Sequence, residues 1–306
     1  MAQLSGHVVA ITGGARGIGR ATAAAFLASG AAVAIGDLDV DLAREQAAEL
    51  ATTTGGRVVA LGLDVTDPGS FRAFLDAAEA ELGAIDVLVN NAGIMPSGRF
   101  LDEDPATTDR ILDINVRGVL IGSRLAGRRF VDRGHGHLIN LASLAGVSAY
   151  PGLATYCASK HAVVGFTEVL ARELHGSGVA VTAVLPGIVR TELSAGTNTR
   201  RWVEALSTVD PEEVAAAIVA VVTRPRPVVT VPKRLAVTIR TVAMLPYRAR
   251  LAVERVTGAT TAFTQADATA RERYHQRLRS QVERDSSVRG VQGGLIGQRP
   301  VDQPQV

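Results

Sequence analysis

The stretch HVVAITGGARGIGRATAAAFLASGAAVAIGD, residues 7–37, decides the fold. A run apolar at nearly every position (HVVAIT) leads into a glycine-rich turn and then into a segment with apolar residues three and four apart. A second apolar run follows, closed by Asp37. Continuous apolar runs are strands buried on both faces, and parallel strands need a helical crossover. The stretch therefore reads as one strand–helix–strand unit, with TGGARGIG (12–19) at the handover from strand to helix. Its spacing, Gly13-x-x-x-Gly17-x-Gly19, departs from the G-x-G-x-x-G dinucleotide fingerprint. The physics is shared. Glycines let backbone approach a pyrophosphate, and the helix start carrying Ile18 and Gly19 offers unpaired N–H groups and a positive dipole end.

Outward from this unit the same alternation continues. RVVALGL (57–63), IDVLVN (85–90), GHLINLA (136–142) and VAVTAVLP (179–186) are strand-like runs separated by segments of helical period. RPVVTVP (226–232) follows the helical DPEEVAAAIVAVV as a last strand. The pattern predicts an α/β fold: a Rossmann-like, doubly wound parallel sheet of about seven strands with helices on both faces and a helical C-terminal extension. Three regions are expected: a nucleotide-binding and catalytic domain over 1–232, a basic helical extension over 233–284, and a disordered Gly-, Gln- and Pro-rich tail over 285–306.

With 47% hydrophobic residues in 306, the chain can bury a sizeable core, which excludes disorder throughout. The single cysteine, Cys157, excludes an internal disulfide framework and fits a reducing compartment. No apolar run reaches the roughly 18 residues that a spanning helix needs. No leader-like segment precedes the first strand, so a cytoplasmic location is expected. Neither a metal nor a nucleic-acid partner is expected.

Several residues then fall where ligands of open α/β sheets gather, at the C-terminal ends of strands. An acid at Asp37 accepts hydrogen bonds from an adenosine ribose diol and repels a 2′-phosphate, which favours NAD over NADP. It could instead only cap the next helix, and Arg16 inside the turn could pair with a 2′-phosphate. In LDV (63–65), Asp64 with Val65 can reach an adenine. In NNAG (90–93), Asn91, Ala92 and Gly93 can run their backbone along the adenosine, although Asn and Gly are also ordinary turn formers.

YCASK (156–160) holds one of only two lysines, against 30 arginines. On a helix, Tyr156 and Lys160 share a face. A phenol, ordinarily titrating near pH 10, is a poor acid–base group at neutral pH, and a nearby cation favours the phenolate. A compact ammonium supplies that charge and can also bind ribose hydroxyls; arginine's rigid fork fits differently. Ser143, ending the fifth strand, and Asn115, within the fourth crossover helix, are ordinary residues in isolation.

Taken together, TGGARGIG, LDV, NNAG, DIN, a serine ending strand five, YCASK and PGIVRTEL occur in the order found in the short-chain dehydrogenase/reductase family, which residues 5–232 resemble in its common short branch. The resemblance implies a catalytic tetrad of Asn115, Ser143, Tyr156 and Lys160. Tyr156 would take the alcohol proton as hydride leaves for the nicotinamide, Ser143 would bind the substrate oxygen, and Asn115 would hold a proton-relaying water. Pro186, Gly187, Ile188 and Thr191 would hold the nicotinamide end. The expected activity is hydride transfer between NAD(H) and a secondary alcohol or ketone, with an NADPH-dependent 3-oxoacyl thioester reductase or a non-catalytic nucleotide sensor as rivals. A homo-oligomer, dimer or tetramer, is also implied.

Past Pro232 the chain departs from the family's minimal form. Residues 1–223 carry 17 Lys+Arg against 24 Asp+Glu, whereas residues 224–284 carry 13 against 4. Leu235, Ile239 and Val242 form one helical stripe, Pro246 breaks the helix, and Leu251 with Val256 resumes an apolar side; a further helix carries Tyr274, Leu278 and Val282. Such a segment packs on its own chain or a twin, or contacts an anionic membrane through 233–257. The extension resembles those of relatives acting on lipophilic substrates.

Overall fold

The computed structural model describes residues 4–194, 196, 200–258 and 263–264, the side chains of Arg201, Ile239, Arg240, Ala243 and Glu254 aside. The helix expected around Tyr274, Leu278 and Val282 and the tail from Asp285 lie outside the described residues.

The 7–37 stretch folds as β1 (Val8–Thr12), α1 (Gly17–Ala28) and β2 (Ala32–Asp37). Next come α2 (Val40–Thr54), β3 (Val58–Gly62), α3 (Pro68–Leu82) and β4 (Val87–Asn90). The fourth crossover holds α4 (Pro105–Leu112) and α5 (Gly118–Arg133) and leads to β5 (Gly136–Leu141), α6 (Ala154–Glu173) and β6 (Val179–Pro186). A small parallel pair, β7 (Ile188–Val189) and β8 (Thr208–Val209), flanks α7 (Arg201–Ser207). Then α8 (Pro211–Thr223), β9 (Val228–Val231), α9 (Arg234–Met244) and α10 (Tyr247–Thr257) follow, with Pro246 between the last two helices.

Seven strands form one parallel sheet in the order β3-β2-β1-β4-β5-β6-β9. The apolar runs mean what their composition says. Val9 and Ile11 of β1 enter one core layer with Phe26 of α1, Leu50 of α2 and Ile218 of α8. Val8 and Ala10 enter the opposite layer with Phe71 and Phe74 of α3 and Phe130 of α5. Three helices begin at Asp–Pro pairs: Asp67 and Asp104 cap α3 and α4 through their carboxylates, and Glu213 accepts from the Asp210 N–H at the start of α8. Proline at the first helical position loses no bond, because that N–H has no helical acceptor.

Two features differ from the sequence reading. The fourth crossover is not one continuous helix, since residues 113–117 pair i to i+5 as a π segment between α4 and α5. The β7/β8 pair was not anticipated. Chain direction across the sheet reverses between β1 and β4, and the crevice beyond their C-terminal ends is where a ligand is expected. No helix among the described residues is long and apolar enough to cross a membrane.

Candidate active site

The glycine turn is held tightly against the end of β4. Thr12 Oγ1 accepts from the N–H groups of Asn91 and Ala92, both at 3.0 Å. The Asn91 amide donates to the carbonyls of Thr12 and Gly13, both at 2.9 Å. Gly13 has φ +64°, and a Cβ there would lie 2.9 Å from Ala92 Cα; one on Gly19 would run into the Gly13 carbonyl. Glycine at these positions thus lets backbone pack where a side chain would clash, and the N–H groups at the start of α1 beside the turn have no helical acceptors. The Thr191 methyl lies 3.3 Å from where a Cβ on Gly17 would sit, which brings the segment after β6 to the same turn.

Asp37 ends β2 beside this turn. Its carboxylate accepts from Ala15 N and Asp39 N, each at 3.1 Å. Burial pushes the carboxyl above its usual range, while those two N–H groups and the nearby Arg16 pull it back. Arg16 is turned toward Asp39 at 2.6 Å, and Asp39 also caps α2 through Leu42 N. Asp64 accepts from Thr66 N and Thr66 Oγ1 through one oxygen and lines the cleft with Val65.

α6 brings Tyr156 and Lys160 to one face, and both are buried. Lys160 Nζ donates to the Leu141 carbonyl at the end of β5 at 2.7 Å and lies 5.7 Å from the Tyr156 ring centroid. Burial lowers the ammonium from 10.5 to about 8, so it stays charged at pH 7. Ser143 opens a 3₁₀ turn, Leu144–Gly146, and accepts from Ala145 N at 3.1 Å; that bond leaves its hydroxyl proton available to a substrate oxygen. Asn115 is fully buried within the π segment. Its Oδ1 accepts from Ile94 N at 2.8 Å, and its Nδ2 donates to Ile94 O at 2.9 Å and to Ser159 Oγ at 3.2 Å. The amide therefore braces the loop after β4 against α6. Gly93 is small where Asn115 and Lys160 close in, 3.2 and 3.7 Å from the place of its missing Cβ.

The site residues assigned from the sequence, all except Gly19 and Asn115, line one continuous cleft of about 920 Å³. Its sequence from residue 7 to residue 202 matches the short chain dehydrogenase family model. The chain belongs to the short-chain dehydrogenase family. A probable oxidoreductase, EphD, of Mycobacterium tuberculosis is 38% identical over 238 residues, covering 72% of this chain but 40% of that protein. The chain thus spans about two-fifths of the length of that relative. The 2-(S)-hydroxypropyl-CoM dehydrogenase 3 of Xanthobacter autotrophicus is 44% identical over 188 residues, covering 61% of this chain and 73% of its own. A short-chain dehydrogenase/reductase from Burkholderia phymatum, solved in complex with NAD, superposes with a TM-score of 0.71 at 25% identity, covering 78% of this chain and 94% of its own.

In this short-chain dehydrogenase the cleft has two ends. The sequence-assigned residues Gly13, Arg16, Gly17, Ile18, Asp37, Asp64 and Val65 gather at one, with Pro186, Gly187, Ile188 and Thr191 along its flank. Toward Tyr156 the cleft is apolar, with Met95, Leu153 and Leu193 in one cluster with it, while Asp109 and Arg110 of α4 and Asp113 of the π segment also line the cleft. Sequence reasoning missed Thr12 and Asp39. It also missed Glu103, whose carboxylate accepts from Thr108 Oγ1 and Thr155 Oγ1 at 2.5 and 2.6 Å and so ties α4 to the start of α6. Thr12 adjoins the quoted glycines and could have been noticed there. The other two act across space and leave no local signal.

Proposed function

We propose that this short-chain dehydrogenase interconverts a lipophilic secondary alcohol and its ketone with NAD(H). One observation carries the reading: Tyr156 and Lys160 share a wall of the cleft that also contains the glycine turn and Asp37. The closely packed glycine turn, where Gly13 and Gly19 leave no room for side chains, and the acid at Asp37 fit a dinucleotide. A nicotinamide held beside Pro186, Gly187, Ile188 and Thr191 would supply hydride transfer to and from the carbinol carbon. In oxidation Tyr156 accepts the hydroxyl proton, so alcohol loses one hydride and one proton and leaves as ketone; reduction reverses both transfers. Lys160 holds positive charge beside the phenol and favours its ionised form. Ser143 donates to the substrate oxygen, and Asn115 fixes the loop on which the reacting groups sit.

The preference for NAD rests on two acids. Asp37 faces the turn, and Asp39 occupies Arg16, the cation otherwise placed to meet a 2′-phosphate. Asp37→Ser is expected to weaken NAD binding by about 10–100-fold, the size of lost charge-assisted hydrogen bonds. NADP binding should change far less, so the gap narrows. Because burial raises the Asp37 carboxyl, wild-type NAD affinity should fall on acidification at a pH above the usual carboxylate range. Wild type preferring NADP in steady-state kinetics would reverse this assignment. The thioester-reductase and sensor alternatives are separated from it by assaying secondary alcohols and 3-oxoacyl thioesters with both cofactors.

The extension also supports contact with an anionic membrane. Val237, Met244, Tyr247 and Val256 are exposed on α9 and α10 beside Lys233, Arg248 and Arg255. Val256, expected to share an apolar side with Leu251, is exposed, while Leu251 is half-buried. The cleft-facing residues of α10 are instead Val253 and Thr257, which share a face four residues apart. Flotation with anionic liposomes should show binding that weakens with salt, at about 1 kcal/mol per basic residue near the surface. Full-length protein that never floats excludes the contact.

A further inference from the structure

The cleft is not lined by the seven-stranded domain alone. Leu235, Thr238 and Val242 of α9 line it, and so do Val253 and Thr257 of α10. Beyond α10 the chain returns over the site at Phe263, which is 7% exposed and also lines the cleft. The ring meets Tyr150 edge-on, with centroids 5.8 Å apart and planes at 77°, a favourable arrangement for the two quadrupoles. It shares an apolar cluster with Met95, Leu153, Cys157 and Tyr156 itself.

The backbone is built to receive this segment. Gly152 has φ +89°, and a Cβ on it would lie 3.1 Å from both the Phe263 carbonyl carbon and Thr264 N. Main chain therefore passes over main chain where a side chain would block it. Gly152 O also accepts from Gly98 N at 3.0 Å, so the same loop is tied to the segment after β4. The cover is thus anchored to the loop that precedes the catalytic helix, within reach of any substituent on a substrate held by Tyr156.

We infer that Phe263 is a specificity-determining residue: its ring closes the apolar end of the cleft beside Tyr156 and limits the bulk of the substituents on the substrate's carbinol carbon. The inference rests on the alcohol-oxidation reading above. It assigns the C-terminal extension a part in substrate selection, and it names the class admitted as alcohols or ketones with apolar arms of limited size. Apart from Tyr156, none of the residues assigned to the cofactor belongs to the cluster around this ring, so cofactor binding should depend little on it.

The test compares wild type, Phe263→Leu and Phe263→Ala, each as the full chain. kcat/KM is measured for isopropanol, cyclohexanol and menthol, and Cys157 alkylation by N-ethylmaleimide is followed by mass spectrometry. Cys157 is the sole cysteine and is 8% exposed, so it reports whether the ring covers the cluster. Phe263→Ala should raise the menthol-to-cyclohexanol ratio by about tenfold or more, the scale on which pocket volume discriminates apolar groups. Alkylation should quicken by a similar factor, Phe263→Leu should fall between, and NADH affinity should stay within about twofold. An unchanged ratio in enzymes that turn over alcohols overturns the inference and leaves the proposed reaction standing. If wild type oxidises none of the three with NAD or NADP, the alcohol-oxidation reading fails and the thiol alone decides. Faster alkylation in the Ala variant then supports Phe263 as the cover, and an unchanged rate overturns it.

Discussion

Tyr156→Phe should bind NADH with near wild-type affinity while turnover falls by about 10²–10⁴-fold, the usual size of a general acid–base contribution. The substitution removes only the phenolic oxygen. The ring keeps its place in the cluster with Met95, Leu153 and Phe263, so the pocket keeps its shape. Loss of a single hydroxyl should change stability by no more than about 1 kcal/mol. A fall in kcat and kcat/KM together, with cofactor affinity intact, is the signature of an interaction made in the transition state. Turnover within a few-fold of wild type would remove Tyr156 from the chemistry. Loss of cofactor binding in step with turnover would instead make it a structural residue of the cleft.

The parts of this site that a sequence can show are those fixed by local rules. The strands β1, β2 and β4 to β6 were legible because a strand buried on both faces has one sequence form, a short continuous apolar run, and the less buried edge strands β3 and β9 carry the same form. The pairing of Tyr156 with Lys160 was legible because a helix puts residues four apart on one face. Arg16 shows where such rules stop. Its sequence position, inside a phosphate-binding turn, suggests a partner for a 2′-phosphate. In the fold it meets Asp39 at 2.6 Å, a contact across two connections that spacing along the chain does not show. Asn115 is similar: the i to i+5 pairing around it accompanies bonds to Ile94 and Ser159, which lie far away in sequence. Phe263 is the extreme case. It lies beyond every periodic element described, and its place over the cleft depends on a backbone approach at Gly152 that no motif records.

Lys160→Met should abolish most turnover, by about 10²-fold or more, and at the same time raise the thermal stability of the cofactor-free protein at pH 7. The two effects share one cause. Lys160 is 5% exposed, and burial lowers its ammonium from 10.5 to about 8, so the folded state holds the proton less firmly than the unfolded chain. Above about pH 10.5 the amine is neutral in both states and the penalty vanishes. It grows as pH falls from 10.5 to 8 and is complete below 8. Methionine has similar length and no charge, so its advantage should be largest at and below neutral pH and fade as pH rises toward 10.5. Against it stands the Leu141 carbonyl, which loses the 2.7 Å bond from Nζ at about 1 kcal/mol, less than the two or so pH units of proton affinity are worth. Lys160→Arg separates charge from shape. It keeps the positive charge, but its planar fork is bulkier and cannot shed its proton, so it should lose both stability and turnover. An Arg variant with wild-type activity would show that any cation suffices beside Tyr156. A Met variant that melts lower than wild type at pH 7 would show that the buried ammonium is net stabilising, and the lysine would then need no catalytic reason to be there.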